Sequence, residues 1–254
     1  AVKAIGDAIY YITMDLDSGY WQIKVEPSSK AKLAFFTPTG KKRFTVMPMG
    51  ATNAHPVFVA LVSKFKKEWN ALAKELGLKR YGSQVIVDDI MLYAYDVETL
   101  IQYFTCVLKV LQHYRCTAKL RKCRFFPPVA EFVGLDVHGD GNSPAHSKFD
   151  AFHKLTKPVL FTDLNMLIGC FGFYQEHLPL YEVRIARWRA LQKLRPLPGT
   201  PKEEECKILE KAWNSKDDDL LQDLKDAILA KPILRRPNSS LRFYLKTDWS
   251  KKAQ

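Results

Sequence analysis

Nothing in the 254 residues reads as a membrane span, a secretion signal or a repeat. No apolar run approaches the roughly 18 to 20 residues that a bilayer-crossing helix needs, because Asp, Lys or Arg interrupts each hydrophobic stretch. The opening, Ala1-Val2-Lys3-Ala4-Ile5-Gly6, has neither a methionine nor a signal core, and it reads as part of a longer polypeptide. Cysteine is scarce: five residues, at 106, 116, 123, 170 and 206, with no C-x-x-C pair. That odd count argues against a disulfide framework and for a reducing, intracellular and cytoplasmic compartment. His113, Cys116 and Cys123 lack the second ligand pair of a zinc site and read as unrelated residues around a helix end. Acidic residues are outnumbered, 27 against 39 Lys and Arg, for a formal net charge of +12. Such a surplus favours a polyanionic partner, nucleic acid first and an anionic membrane surface second. At 47% hydrophobic and 26% charged residues the composition excludes disorder, and the length suffices for one full core or two smaller ones.

The hydrophobic pattern predicts strand, bend at Gly19 and strand over residues 10 to 25, then a hairpin across Leu33–Val46 that turns at Pro38 to Gly40. Phe58, Leu61, Val62, Phe65, Trp69, Leu72 and Leu76 recur at spacings of three and four, which predicts a long helix closed by Gly77. Gln84 to Ala94 reads as a strand pair, and Asp96 as the cap of a helix with Leu100, Phe104, Val107, Leu108 and Leu111 inward. Short strands follow between Phe125 and His138, with a turn at 139–142. Asp163 is expected to cap a helix over Leu164 to Tyr174. Arg184, Arg187, Arg189, Lys193 and Arg195 make a basic stretch, Arg195 to Pro201 a linker, and Leu241 to Thr247 a last strand. Strands first and helices later predict an α+β fold.

The most informative segment is Val85-Ile86-Val87-Asp88-Asp89-Ile90-Met91-Leu92. Two apolar runs meet at adjacent carboxylates, where a tight hairpin prefers Asn-Gly or Asp-Gly. Neighbouring carboxylates among apolar residues resist ionisation unless a cation is present, and a divalent metal removes that conflict. An ordinary acidic turn is the plain alternative for these eight residues alone. Tyr11-Ile12-Thr13-Met14-Asp15 is a second short strand ending in aspartate. Carboxylates from separate segments are what two-metal phosphoryl or nucleotidyl transfer requires, with ions about 3.5 to 4 Å apart.

These residues carry a family resemblance. Asp15-Leu16-Asp17-Ser18-Gly19-Tyr20-Trp21-Gln22-Ile23 resembles the first palm motif of reverse transcriptases of gypsy-type LTR retrotransposons. Met47-Pro48-Met49-Gly50-Ala51-Thr52-Asn53-Ala54, with Phe58, is similar to their second motif, and Val87-Asp88-Asp89-Ile90 to their catalytic turn. Leu120 to Phe126, then Glu131-Phe132-Val133-Gly134, resemble the next block and the primer-grip hairpin. Phe171 to Pro179 looks like the thumb signature. Lys231-Pro232-Ile233-Leu234 and Phe243 to Asp248 look like the connection and the entry into an RNase H-like domain. Two positions depart: Ile86 stands where the family usually has tyrosine, and His55 where it usually has proline.

The resemblance implies a right-hand polymerase with an antiparallel palm sheet and a helical thumb, its upstream fingers portion lying outside this chain. Palm with partial fingers (about 22–47) would occupy 1–138, the thumb 139–200, and the connection with the truncated start of an RNase H-like domain 201–254. It implies Asp15, Asp88 and Asp89 as ligands of two Mg²⁺ ions, with Mn²⁺ able to substitute. Tyr20 would be a steric gate against the 2′-hydroxyl, with Gln22, Met49 and Gly50 near the incoming nucleotide. Phe132, Val133 and Gly134 would hold the primer end, and Arg184, Arg187, Arg189 and Lys193, with Trp188, would track the duplex backbone. A solvated thumb helix is the equal alternative for that basic stretch. The implied partners are a primed RNA or DNA template, deoxynucleoside triphosphates and fused protease, RNase H and integrase domains, with no membrane. A decayed or domesticated module that binds nucleic acid without polymerising is the second reading, and an RNA-dependent RNA polymerase the third.

Overall fold

The computed structural model describes residue 5, residues 8–235 and residue 242. The expected strand at Leu241 to Thr247 and the Phe243 to Asp248 block lie outside this range, except for residue 242. The first strand among the described residues is β1 (Tyr10–Asp15), followed by a 3-10 turn (Gly19–Gln22) and the hairpin β2 (Ala34–Thr37) and β3 (Gly40–Arg43). The expected strand after Gly19 is absent; Lys24 makes a single bridge to Val46 instead. Helix α1 (Ala54–Glu75) buries Phe58, Val62, Phe65 and Trp69, and Gly77 ends it with φ +71°. Strands β4 (Tyr81–Ile86) and β5 (Asp89–Ala94) lead into helix α2 (Val97–His113). The Asp96 carboxylate accepts from the Thr99 amide at 2.7 Å, the cap that the sequence calls for.

Four strands form the first sheet in the order β4-β5-β1-β6, where β6 is Arg124–Phe125. Its two faces divide by the two-residue period of a strand. Ile12, Met14, Ile90, Leu92 and Ala94 point into a core with α1 and α2. Tyr11, Met91 and Tyr93 point the other way, against Ala130, Phe132 and Val137. Those last residues lie on β7 (Ala130–Phe132) and β8 (Leu135–His138), which with β9 (Gly141–Pro144) and β10 (Leu234–Arg235) make a second antiparallel sheet. Strand β5 is therefore covered on both sides, which explains its almost unbroken apolar sequence.

Helices form the rest: α3 (Phe149–His153), α4 (Phe161–Phe173), α5 (Tyr181–Arg184), α6 (Ala186–Gln192), α7 (Lys202–Ala212) and α8 (Ser215–Leu229). Asp163 lies inside α4 rather than before it, and its carboxylate accepts from the Leu160 amide at 2.9 Å and the Val159 amide at 3.2 Å. One apolar core spans Phe152, Phe171, Trp188, Leu209, Leu224 and Ile228. The expected boundary at 200/201 thus runs through a single helical core, because α7 and α8 cover the apolar faces of α4 and α6. The expected boundary at 138/139 falls inside the β8–β9 hairpin.

His177 joins the second sheet to the helices. It is buried, and its Nε2 meets the Asn142 Oδ1 at 3.0 Å. Burial lowers the imidazole below its ordinary value of 6.5, partly opposed by Asn142 and Glu176. A histidine depressed in the folded state contributes stability that is present above pH 6.5 and lost as pH falls through its lowered value. The melting temperature is expected to fall over that window, and His177→Gln to flatten the fall; thermal denaturation against pH checks this.

Candidate active site

Asp15 is the last residue of β1 and Asp89 the first of β5, and the antiparallel register places the two directly opposite. Opposed residues of an antiparallel pair have Cβ atoms about 4.5 to 5.5 Å apart, so two carboxylates there repel. The β4–β5 turn is made by Val87 and Asp88, with Ile86 paired to Asp89. The turn thus lies one residue earlier than the Asp-Asp pair suggested. Val87 takes φ +56°, the conformation for which hairpins of this kind select glycine. A β-branched residue held there stores strain of about 1 to 3 kcal/mol. The Asp88 carbonyl accepts from the Leu16 amide at 3.2 Å, which ties the strained turn to the end of β1.

Burial raises the Asp89 carboxyl above the usual carboxylate range, and the charges of Asp88 and Asp15 raise it further, while Lys122 opposes them. The Lys122 Nζ lies 2.9 Å from the Asp15 Oδ2, and that bond, with the charge of Asp15, holds the ammonium above the ordinary lysine value. Three carboxylates in mutual repulsion form the all-oxygen donor set that hard divalent ions take, so the residue chemistry fits Mg²⁺ or Mn²⁺. Among the described residues no three His, Cys, Asp or Glu side chains are gathered in the arrangement of a bound ion.

Asp15 and Asp89 border a cleft of about 710 Å³. Its far wall is the tip of the β7–β8 hairpin, a two-residue turn with φ +50° at Val133 and +76° at Gly134. The Tyr174 hydroxyl donates to the Gly134 carbonyl at 3.0 Å, and a Cβ added to Gly134 would lie 3.1 Å from that hydroxyl. Helix α4 is thereby fastened to the hairpin tip. Arg121, Arg124 and Lys148 also line the cleft, with Glu131, so cations stand close to the carboxylates.

Residues 1–137, more than half of the chain, match the family described as reverse transcriptase (RNA-dependent DNA polymerase). The chain belongs to that family. It is 29% identical over 257 residues to the retrovirus-related Pol polyprotein from transposon opus of Drosophila melanogaster, a match covering 98% of this chain and 24% of that protein. It is 25% identical over 247 residues to the corresponding polyprotein from transposon gypsy of the same organism, covering 97% and 23%. The chain thus spans about a quarter of the length of these curated relatives. Among solved structures, a foamy viral protease-reverse transcriptase in complex with double-stranded DNA aligns with a TM-score of 0.74 at 20% identity, over 94% of this chain and 39% of that one. The architecture is accordingly the α+β polymerase fold.

Within this reverse transcriptase fold, the structure gathers Asp15, Asp89, Phe132, Val133 and Gly134 around one cleft. Phe132 is buried among Tyr11, Met91 and Val137, which leaves Val133 and Gly134 as the more accessible part of the tip. Asp88 sits at the turn beside the cleft rather than in its lining, and Tyr20, Gln22, Met49 and Gly50 also lie outside that lining. The Tyr20 ring stacks on Phe58 at 5.0 Å, and a Cβ on Gly19 would come within 2.6 Å of the Phe58 ring. The Tyr20 hydroxyl lies 3.4 Å from the Nδ1 of His55, the position that departs from the family pattern. The Gln22 carboxamide is engaged by the backbone of Thr117, donating at 3.0 Å and accepting at 2.8 Å.

The basic residues expected to track the duplex mostly form ion pairs within the chain. Arg187 makes a two-pronged pair with the fully buried Asp217, at 2.8 and 2.7 Å. Arg189 pairs with Glu182 at 3.0 Å, Arg184 pairs with Asp223, and Trp188 lies in the helical core. Three of the four expected phosphate contacts are thus held by carboxylates of their own layer, which a count of charge along the sequence does not reveal. The cations that do face the cleft, Arg121, Lys122, Arg124 and Lys148, are residues that sequence spacing passed over. Arg121, Lys122 and Arg124 stand in a resembling block, but Lys122 meets Asp15 across 107 positions of chain. Arg187→Ala, which strands a buried carboxylate, is expected to cost about 2 to 4 kcal/mol. Lys193→Ala is expected to stay within about 0.5 kcal/mol. Urea denaturation of the two variants distinguishes them.

Proposed function

We propose that this chain is the polymerising part of a retrotransposon Pol polyprotein, an RNA-directed DNA polymerase that extends a primer on an RNA or DNA template. The observation carrying the proposal is the opposition of Asp15 and Asp89 at the mouth of the cleft, with Asp88 on the adjoining strained turn. In this reading residues 1–138 act as palm with partial fingers, and the helices that follow act as the thumb. The reaction is attack by the primer 3′-hydroxyl on the α-phosphate of a deoxynucleoside triphosphate, forming the new phosphodiester and releasing pyrophosphate. Bound at Asp15, Asp88 and Asp89, two Mg²⁺ ions (or Mn²⁺) would activate that hydroxyl and stabilise charge on the phosphates.

The chain's own residues supply the rest. Arg121, Arg124 and Lys148 attract the phosphates of the template-primer duplex into the cleft, largely without regard to sequence. Val133 and Gly134 present backbone to the primer end, held in place by Tyr174. Tyr20, braced by Phe58, stands against the 2′-hydroxyl of a ribonucleotide and so favours a DNA product. The five free cysteines suit a reducing, intracellular setting, and no described helix is long and apolar enough to cross a membrane.

Asp88→Asn, made in the polyprotein carrying this chain, is expected to reduce Mg²⁺-dependent extension on a primed RNA template by about 10²-fold or more, the scale of losing one charge-stabilising group. Duplex affinity, measured by filter binding, is expected to be unchanged. Extension at the parental rate would overturn the assignment.

A further inference from the structure

Lys122 sits where a cation is needed and is itself one. It ends a short 3-10 turn (Leu120–Lys122) fastened to the catalytic strand: the Lys119 amide donates to the Asp15 carbonyl at 2.8 Å, and the Lys122 amide to the Lys119 carbonyl at 2.8 Å. The backbone therefore aims the side chain at the carboxylates. Its ammonium bonds Asp15 at 2.9 Å within a cleft that Asp89 also lines. The two partners differ in freedom: the lysine side chain is 57% exposed and that of Asp15 only 17%. The ammonium can swing to solvent, whereas the carboxylate, at the end of a strand paired on both sides, cannot follow.

We propose that Lys122 is the resting counter-ion of the carboxylate cluster, occupying Asp15 until a divalent cation displaces it, so that this lysine sets the affinity of the cluster for metal. The inference rests on the reading of Asp15, Asp88 and Asp89 as metal-holding residues. One monovalent ammonium offsets only part of the charge of three carboxylates, so a dication placed among them gains more than the lysine loses. The arrangement has a geometric basis: Asp15 and Asp89 stand directly opposite across the strand pair, and the ammonium is bonded to the first of them. The lysine limits the repulsion between Asp15 and Asp89 while the cation is away. It also tunes binding, because any entering ion must compete with it and bear its like charge.

The test uses the 254-residue chain and reads metal binding and stability rather than turnover. Mn²⁺ affinity is measured by the electron paramagnetic resonance signal of the free ion, and melting temperature is measured in chelator and in saturating Mn²⁺. Lys122→Met is expected to bind Mn²⁺ about threefold to tenfold more tightly, the scale of removing one partly exposed opposing charge. It should melt below the parent in chelator, and the gap should close in Mn²⁺. Lys122→Arg, which keeps the charge, should stay near the parent in both. Unchanged or weaker affinity in Lys122→Met, or a melting gap that Mn²⁺ leaves untouched, overturns the counter-ion role while the proposed function stands. A parent chain that binds no Mn²⁺ overturns both.

Discussion

The opposition of Asp15 and Asp89 across one antiparallel pair is the constraint around which the molecule is organised. Like charges directly opposite are destabilising, and a free hairpin would shift or splay to separate them. This sheet cannot, because β5 is gripped from both faces. Ile90, Leu92 and Ala94 are locked against the helices, and Met91 and Tyr93 against the second sheet. A slip of one residue would exchange those two sets and empty both cores. Apolar packing therefore holds the carboxylates in a juxtaposition that electrostatics opposes; burial first, and then the charges of Asp88 and Asp15, raise the proton affinity of Asp89.

Much of this was legible in the sequence. The long helix after residue 53, the strand pair before Ala94, the cap at Asp96 and the hairpin near Gly40 all follow from periodicity and local cap or turn chemistry, which depend on neighbours in the chain. The carboxylates were legible for a different reason: charged residues ending apolar strands violate the local pattern, and such violations concentrate at functional sites. The placement of the turn was less so. Strand preference alone puts the Asp-Asp pair at the tip, whereas the structure moves the tip to Val87 and Asp88, a choice local propensity disfavours. Only the fixed register with β1 and the Leu16 amide make it intelligible.

Charge was read least well, and the reason is physical. Arg184, Arg187 and Arg189 form a basic stretch, yet acids that follow the linker return in space to neutralise two of them. Asp217 and Asp223 lie on α8, which packs in the same core as α6. A linker rich in proline suggests separation, but the burial of Trp188, Leu209 and Leu224 together makes the segments one body. At the cleft itself the cations come from other elements, at Arg121, Arg124 and Lys148. Arg121 and Arg124 belong to one short basic run, but Lys148 joins them only by tertiary folding, and nothing local shows that the run faces the carboxylates.

The rim of that cleft repeats one device. Both hairpins that meet there, β4–β5 and β7–β8, carry valine at a position of positive φ, where glycine or asparagine would cost less. Valine is stiff at χ1 and cannot relax the turn by local rearrangement. Each turn is instead held from outside, Val87-Asp88 by the Leu16 amide and Val133-Gly134 by Tyr174 of the helical layer. The strain is sustained by the packed cores behind the turns, so the precision of the rim and the stability of those cores are one property. Under the proposed function, weakening the helical layer would therefore loosen the hairpin tip at the primer end before it disturbed the carboxylates, which answer to the other core.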